Sequence, residues 1–425
     1  MPSIKKVLII TSSGGGGLLQ AANAKEQEIL AQDPTIQVIQ RDVMKDWMWS
    51  KFGTFCVNQW NKAQLRGDVR AQVFLGTSSV FAEYLFWLPM FYYSLKTFLQ
   101  EDIDRVLDTQ VMGTSATIKA LRLFNRVKKK HVVLEKVLVD LPTKKATHFF
   151  KPIRQLNGKD RQLLRLITIA PMLEKEQTAE QFWQQHCKLN DTHLQYEDYF
   201  VRRAFASYRG LERKAEPFAL KTRFQNLDEL ECILQSIERG KTPYEVGNGE
   251  IRFVIDPKAL VFTILLGSQP ANNATLNYVL KCLQINGKTP VTIFVFCSKH
   301  ERGQASLLRK VSEAVHQCDA YPTNLTIVPM SFQNDDVIAP LFFRSDMTCT
   351  RSGGQTAMEL MSVSTGEIWI HSEAKLQNAP LTEEELLAGI PGWESANAAY
   401  LQHVRGAKIV TTDTFGPLVK SLVPS

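Results

Sequence analysis

Apolar runs and amphipathic segments alternate along the chain in two series, and this alternation constrains the fold more than any other feature. In the first series "KVLII" reads as a strand, "LLQAANAKEQEILAQ" as a helix stopped by Asp33-Pro34, and "TIQVIQRDV" as a strand. After aromatic-rich material through Leu99 come a strand at "IDRVLDTQV", a helix at "SATIKALRLFNRV" and a strand at "VVLEKVLVDL". The stretch from Glu174 to Gly240 is polar and mostly helical in pattern, interrupted by "YEDYFVRRAF" and closed by turn signals in "RGKTPYEVGNGE". The second series then runs through "ALVFTILLG", "NNATLNYVLKCLQ", "VTIFVFC", "ASLLRKVSEAVHQ", "LTIVPM", "DVIAPLFFRS", "DMTCT", "GGQTAMELMSV", "GEIWIHS" and "AKIVTT". Strands that alternate with helices form a parallel sheet covered on both faces, so the class is α/β.

A chain of 425 residues exceeds what one compact core holds, so the two series predict two domains. Each is expected to be Rossmann-like, with a cleft between them where ligands meet the C-terminal strand ends. The expected boundaries are an acceptor-side domain at 1–205, a nucleotide-sugar domain at 206–410, and a tail helix at 411–425 packing back on the N-terminal domain.

Composition narrows the partners. The net charge of +7 suits an anionic surface or a nucleotide but is too small to argue for nucleic acid. The seven cysteines, Cys56, Cys187, Cys232, Cys282, Cys297, Cys318 and Cys349, include no C-x-x-C pair, which predicts a reduced, cytoplasmic compartment and no zinc motif. "MPSIKKVLIITSS" has too short an apolar run for a signal peptide. The longest apolar stretch, Val80 to Leu99, is broken by Glu83, Pro89 and Lys96, against a membrane span. Two readings of it stand: a buried aromatic helix pair, or a surface that dips into an anionic membrane interface, where Trp and Tyr are favoured and Lys snorkels.

Three glycine-containing turns follow strands. A turn of this kind exposes free N–H groups and the positive end of a helix dipole, which suits phosphate. "TSSGGGGLLQ" carries Gly14, Gly15, Gly16 and Gly17. It lacks the Lys of a Walker A loop, and G-x-G-x-x-G fails at Leu19 or Gln20, so neither ATP hydrolysis nor NAD binding is supported. "LLGSQPANN" places Ser268 and Gln269 beside backbone amides. In "TCTRSGGQTAMEL", Gly353 and Gly354 are expected to let a ligand approach the backbone, Gln355 and Thr356 open a helix, and Glu359 lies one turn in. A carboxylate there is placed to accept both hydroxyls of a ribose whose phosphates sit on the turn.

At these residues the chain resembles the GT-B glycosyltransferases of family 28, which include monogalactosyldiacylglycerol synthase and the lipid II-forming N-acetylglucosaminyltransferase. The likeness runs in order along most of the chain. "SSGGGG" resembles the family's first loop, "IDRVLDTQVMGTSATIKAL" and "VLVDLPTKKATHFFK" its acceptor-domain segments, and "YEDYFVRRAF" the segment whose arginine, here Arg202, reaches the nucleotide. "LLGSQPANNATLN" resembles a phosphate loop, "TRSGGQTAMELMSV" the nucleotide-sugar motif and "GIPGWESANAAYL" the sugar-reading segment, with Glu394 and Asn397 at its polar positions. The resemblance implies GT-B architecture, a UDP-sugar as co-substrate, no cofactor and inverting transfer to a lipid or membrane-linked acceptor. It assigns Arg202, Ser268, Gln269, Phe332, Arg351, Ser352, Gly353, Gly354, Gln355, Thr356, Glu359, Glu394 and Asn397 to the nucleotide-sugar, and Gly14–Gly17 to the diphosphate and acceptor loop. The chain also departs from the pattern. Gly17 stands where the family has His, a second His near Thr109 is missing, and Pro270 replaces a usual glycine and removes an N–H.

Inverting transfer needs leaving-group stabilisation, a base for the acceptor hydroxyl, and exclusion of water. With no DxD-like pair, no metal is expected; Ser268, the Ser352–Thr356 turn and Arg202 would hold the diphosphate. Asp140, after the strand "KVLV", is the first candidate base and His148 the second. Two functions remain open: a UDP-sugar-dependent transferase peripheral to a membrane, or a non-catalytic nucleotide-sugar-binding or partner-docking protein on the same fold.

Overall fold

The computed structural model describes residues 4–13, 17–48, 50–74, 84–267, 270–300, 306–375 and 380–423. Gly14, Gly15, Gly16, Ser268, Gln269 and the first four positions of the Val80–Leu99 stretch lie outside these residues.

Two six-stranded parallel sheets organise the chain. The first contains β1 (Lys6–Thr11), β2 (Gln37–Asp42), β3 (Arg105–Asp108), β4 (Leu134–Val137), β5 (Leu164–Thr168) and β6 (Leu194–Tyr196), in the order β2-β1-β3-β4-β5-β6. A small antiparallel sheet follows, β7 (Phe218–Arg223), β8 (Tyr244–Val246) and β9 (Glu250–Ile255), with β9 in the centre. The third sheet holds β10 (Leu260–Leu265), β11 (Val291–Phe296), β12 (Leu325–Met330), β13 (Met347–Thr350), β14 (Glu367–His371) and β15 (Lys408–Val410), ordered β12-β11-β10-β13-β14-β15. That last order is the doubly wound dinucleotide-binding one, with its switch point between β10 and β13. The architecture is α/β with two Rossmann-like domains facing each other across a cleft, the GT-B arrangement. Every residue of β11, "VTIFVF", and of β12, "LTIVPM", is buried, as a parallel sheet covered on both faces requires.

The helices that position the cleft are α1 (Gly17–Gln32), α2 (Ser50–Leu65), α3 (Trp87–Glu101), α4 (Thr114–Lys128) and α5 (Thr147–Arg154) in the first domain. In the second they are α6 (Asp335–Arg344), α7 (Gly354–Val363), α8 (Gly392–Arg405) and α9 (Phe415–Leu422). α3 packs on α4 through Phe98 and Phe124, whose rings lie 5.9 Å apart, and through Ser94 and Thr117. Its other side leaves Leu88 and Tyr92 exposed, continuous in sequence with exposed Tyr84 and Leu85, so the stretch is half core and half apolar surface. Among the described residues no helix is long and apolar enough to cross a membrane.

Two expectations change. The Glu174–Gly240 stretch, read as mostly helical, contains β6 and β7. In β7 Leu220 and Thr222 are buried and Phe218, on the same face, is half-buried against the core, so the period-two signal rests on a short face in which one of three residues is polar. The tail helix α9 packs on the second domain and not on the first: Phe415 sits 4.3 Å from the Tyr278 ring and 5.4 Å from Trp369, centroid to centroid. An apolar helix face docks where aromatic surface is open to it, and that surface lies on its own domain.

Candidate functional site

The strand β13 ends at Thr350 and hands the chain to Arg351, Ser352 and Gly353 before α7 begins. Gly353 is the cap residue of α7, and among the described residues no side chain caps the first N–H groups of the helix. These donors face a cavity of about 970 Å³ between the domains. Its walls come from Gly17, Gln20 and Gln64 of the first domain, from Arg202 and Arg203 between the domains, and from Ser331, Phe332, Asp335, Arg351, Gly353, Gln355, Thr356, Glu359 and Glu394 of the second. The cavity opens at the C-terminal ends of β10, β11, β12 and β13, where open parallel sheets bind ligands.

The two glycines of the turn have different neighbours. A Cβ at Gly353 would meet nothing within 4 Å. A Cβ at Gly354 would lie 2.3 Å from the Val139 carbonyl oxygen and 2.5 Å from Asp140 Oδ1, so this glycine admits the other domain rather than a ligand. On the side where a Cβ would stand, Gly354 is therefore a seam residue.

Glu359, one turn into α7, lines the cavity but is almost wholly buried. Its Oε1 accepts from Arg202 Nε at 2.7 Å and Gln355 Nε2 at 3.0 Å, and its Oε2 from Arg202 Nη2 at 2.8 Å. Burial pushes the carboxyl above its usual range while the Arg202 guanidinium pulls it back. Arg202 also pairs with Asp335 at the start of α6. Three polar groups that line this cavity thus hold one another, and Arg202 acts as a strut between them.

A second buried pair stands beside it. Arg351 Nε and Nη2 lie 3.0–3.1 Å from the Glu394 carboxylate, Arg351 Nη2 also donates to Gln72 Oε1 of the first domain at 2.7 Å, and Ser352 Oγ donates to the Glu394 carbonyl at 2.7 Å. Asn397 is consumed by protein contacts. Its Nδ2 donates to Asp140 Oδ1 and to the Ser352 carbonyl, both at 2.8 Å, and its Oδ1 accepts from Leu141 N at 2.7 Å. Asn397 stitches the domains together and is absent from the cavity wall.

Asp140 and His148, read as alternative candidates for the base, lie together: Asp140 Oδ2 is 2.7 Å from His148 Nε2. The imidazole rests beside Phe149 and Trp393, and Trp393 leans on Trp60. Neither Asp140 nor His148 lines the cavity; both sit behind Gly354, on the far side of the α7 start. Thr109, where the resemblance leads one to look for a histidine, instead bonds Thr11 Oγ1 at 3.1 Å and the Leu18 carbonyl at 3.2 Å, tying the end of β1 and the start of α1 to the residue after β3.

Several cavity features fall outside the sequence reading. Arg203 and Asp335 line it, as does Ser331, which is fully buried with its hydroxyl unpaired among the described residues. Gln355 Oε1 is likewise buried and unpaired. Phe332, which the resemblance assigned to the nucleotide-sugar, is 43% exposed and lines the same space. The doubled arginine of "YFVRRAF" and the "NDD" ahead of α6 were the available signals for Arg203 and Asp335.

No family model and no curated protein matches the sequence. Among solved structures the chain is similar to MurG of Acinetobacter baumannii, at 14% identity over 99% of this chain and 90% of that one, with a TM-score of 0.43. It is similar to Phytolacca americana UGT2 complexed with UDP-2-fluoro-glucose and pterostilbene, at 11% over 99% and 90%, with a TM-score of 0.46. A third is the UDP-GlcNAc 2-epimerase of Neisseria meningitidis bound to UDP-GlcNAc, at 11% over 98% and 99%, with a TM-score of 0.37. At these scores the assignment of the site rests on its own geometry.

Proposed function

We propose that the protein is an inverting, metal-independent glycosyltransferase that takes a sugar from a UDP-sugar and gives it to a membrane-associated, lipid-like acceptor. One observation carries the reading. The uncapped start of α7 and the buried Glu359 one turn later line the same inter-domain cavity as the exposed Phe332 ring. Amide donors at a helix N-terminus suit a diphosphate, a carboxylate one turn in suits ribose hydroxyls, and an aromatic face suits a base. The unpaired Ser331 hydroxyl and Gln355 carbonyl oxygen supply further partners for a polar ligand, since buried polar groups are ordinarily bonded. As the sugar leaves, charge grows on the diphosphate, and fixed N–H groups in a partly closed cavity stabilise it without reorganising.

For the acceptor proton, the Asp140–His148 pair is the candidate. Both Asp140 oxygens are engaged, one by Asn397 and one by His148, so Asp140 orients and the imidazole accepts the proton. The exposed Tyr84, Leu85, Leu88 and Tyr92 would bring the first domain to a lipid surface, in keeping with a cytoplasmic protein peripheral to a membrane. Calorimetry with UDP and UDP-sugars tests the donor half: no binding at millimolar ligand sinks the proposal. Mass spectrometry of lipids from cells expressing the protein or its His148→Ala variant tests the transfer half, with a new glycolipid expected only from the unaltered chain.

A second reading is favoured by the placement of Asp140 and His148 outside the cavity: a nucleotide-sugar-binding protein that transfers nothing. Binding of UDP-sugar with neither transfer nor hydrolysis across a broad acceptor panel would select it.

A further inference from the structure

The three arginines that line the cavity are not equivalent. Arg202 is nine-tenths buried and committed to Glu359 and Asp335. Arg351 is as deeply buried and committed to Glu394 and Gln72. Arg203 is exposed, and its guanidinium makes no ion pair or hydrogen bond with any described residue. Its backbone is nevertheless held in place: Arg203 N donates to Gln27 Oε1 at 2.9 Å, and Phe205, two residues on, is fully buried under the Arg202 guanidinium. Among the described residues the cavity also carries four carboxylates, Asp335, Asp336, Glu359 and Glu394. A diphosphate entering such a cavity meets more acidic than basic side chains. To recruit Arg202 or Arg351 it would have to strip a buried carboxylate of its partner, which is strongly unfavourable.

We propose that Arg203, and not Arg202, is the side chain that meets the diphosphate of the donor, while Arg202 positions Glu359 from behind. The inference rests on the donor reading above. It uses two independent features of the same wall: the uncapped N–H groups at the start of α7 and a guanidinium on an anchored backbone with no partner among the described residues. A guanidinium fork matches two phosphate oxygens at once, which an ammonium does not.

The test is calorimetry on the full chain and its Arg203→Ala and Arg203→Lys variants, with UDP and with inorganic pyrophosphate as probes. Arg203→Ala is expected to weaken UDP binding by about tenfold or more with the melting temperature unchanged, because the exposed side chain makes no hydrogen bond or ion pair with a described residue. Arg203→Lys keeps the charge and loses the fork, and should fall between the two. UDP affinity equal to that of the unaltered chain in Arg203→Ala would overturn the assignment, as would a loss in Arg203→Lys as large as in Arg203→Ala. If the unaltered chain binds pyrophosphate through Arg203 but not UDP, the donor reading fails and Arg203 stands as an anion ligand. If it binds neither, both fall.

Discussion

Gly353 and Gly354 are adjacent, yet they belong to opposite kinds of surface. Gly353 looks into the open cavity, lined among the described residues by unpaired donors, an exposed ring and a guanidinium without a partner. Gly354 is pressed against Val139 and Asp140 of the other domain, where Asn397 satisfies a carboxylate, a carbonyl and an amide at once. The cavity leaves polar groups unsatisfied and the seam leaves almost none. A wall that holds unpaired groups is poised for a ligand, whereas a wall that has paired them all is structural.

The comparison is open to attack by substitution. Arg351→Ala would strand Glu394 between the domains and is expected to cost about 3–5 kcal/mol in denaturant unfolding, whereas removing both charges in Arg351→Met with Glu394→Leu should cost much less. If the single variant is as stable as the unaltered chain, the pair does not hold the seam. Gly354→Ala forces a methyl group onto Val139 and should lose roughly 1–3 kcal/mol, by the usual cost of overpacking. Gly353→Ala, one residue earlier, should stay within about 0.5 kcal/mol of the unaltered chain, and equal losses at the two positions would erase the distinction drawn here. Asn397→Ala leaves the Leu141 amide and one Asp140 oxygen short of a partner and should cost about 1–3 kcal/mol, read as a lowered melting temperature. Phe332→Ala should leave stability within about 0.5 kcal/mol while weakening UDP binding, measured by calorimetry; unchanged affinity would remove Phe332 from the base site.

Much of the fold was legible. The strands β10 to β12 are runs of apolar residues bounded by turns, and the helices between them carry the 3.6-residue period, so their order followed from local pattern. β7 was not legible because its inward face is short, with Phe218 half-buried and only Leu220 and Thr222 fully so. The motif "RSGGQTAMEL" correctly located a glycine turn, a helix start and a carboxylate one turn in. It did not reveal that Gly354 faces Asp140, since that contact joins positions far apart in the chain.

What the sequence by itself determined is the class, the two parallel layers and the turns at their strand ends, because strand and helix periods are properties of neighbouring residues. Tertiary structure alone decided how each polar residue is partnered. Glu359, Arg202, Arg351, Glu394 and Asn397 all read as ligand-binding residues, and the structure pairs them with one another or with the opposite domain. Arg203, one position from Arg202 and identical to it in chemistry, is left without a partner among the described residues. Which of two neighbouring arginines is buried depends on the direction each side chain takes from the backbone and on what the other domain brings against it, and no local pattern encodes that.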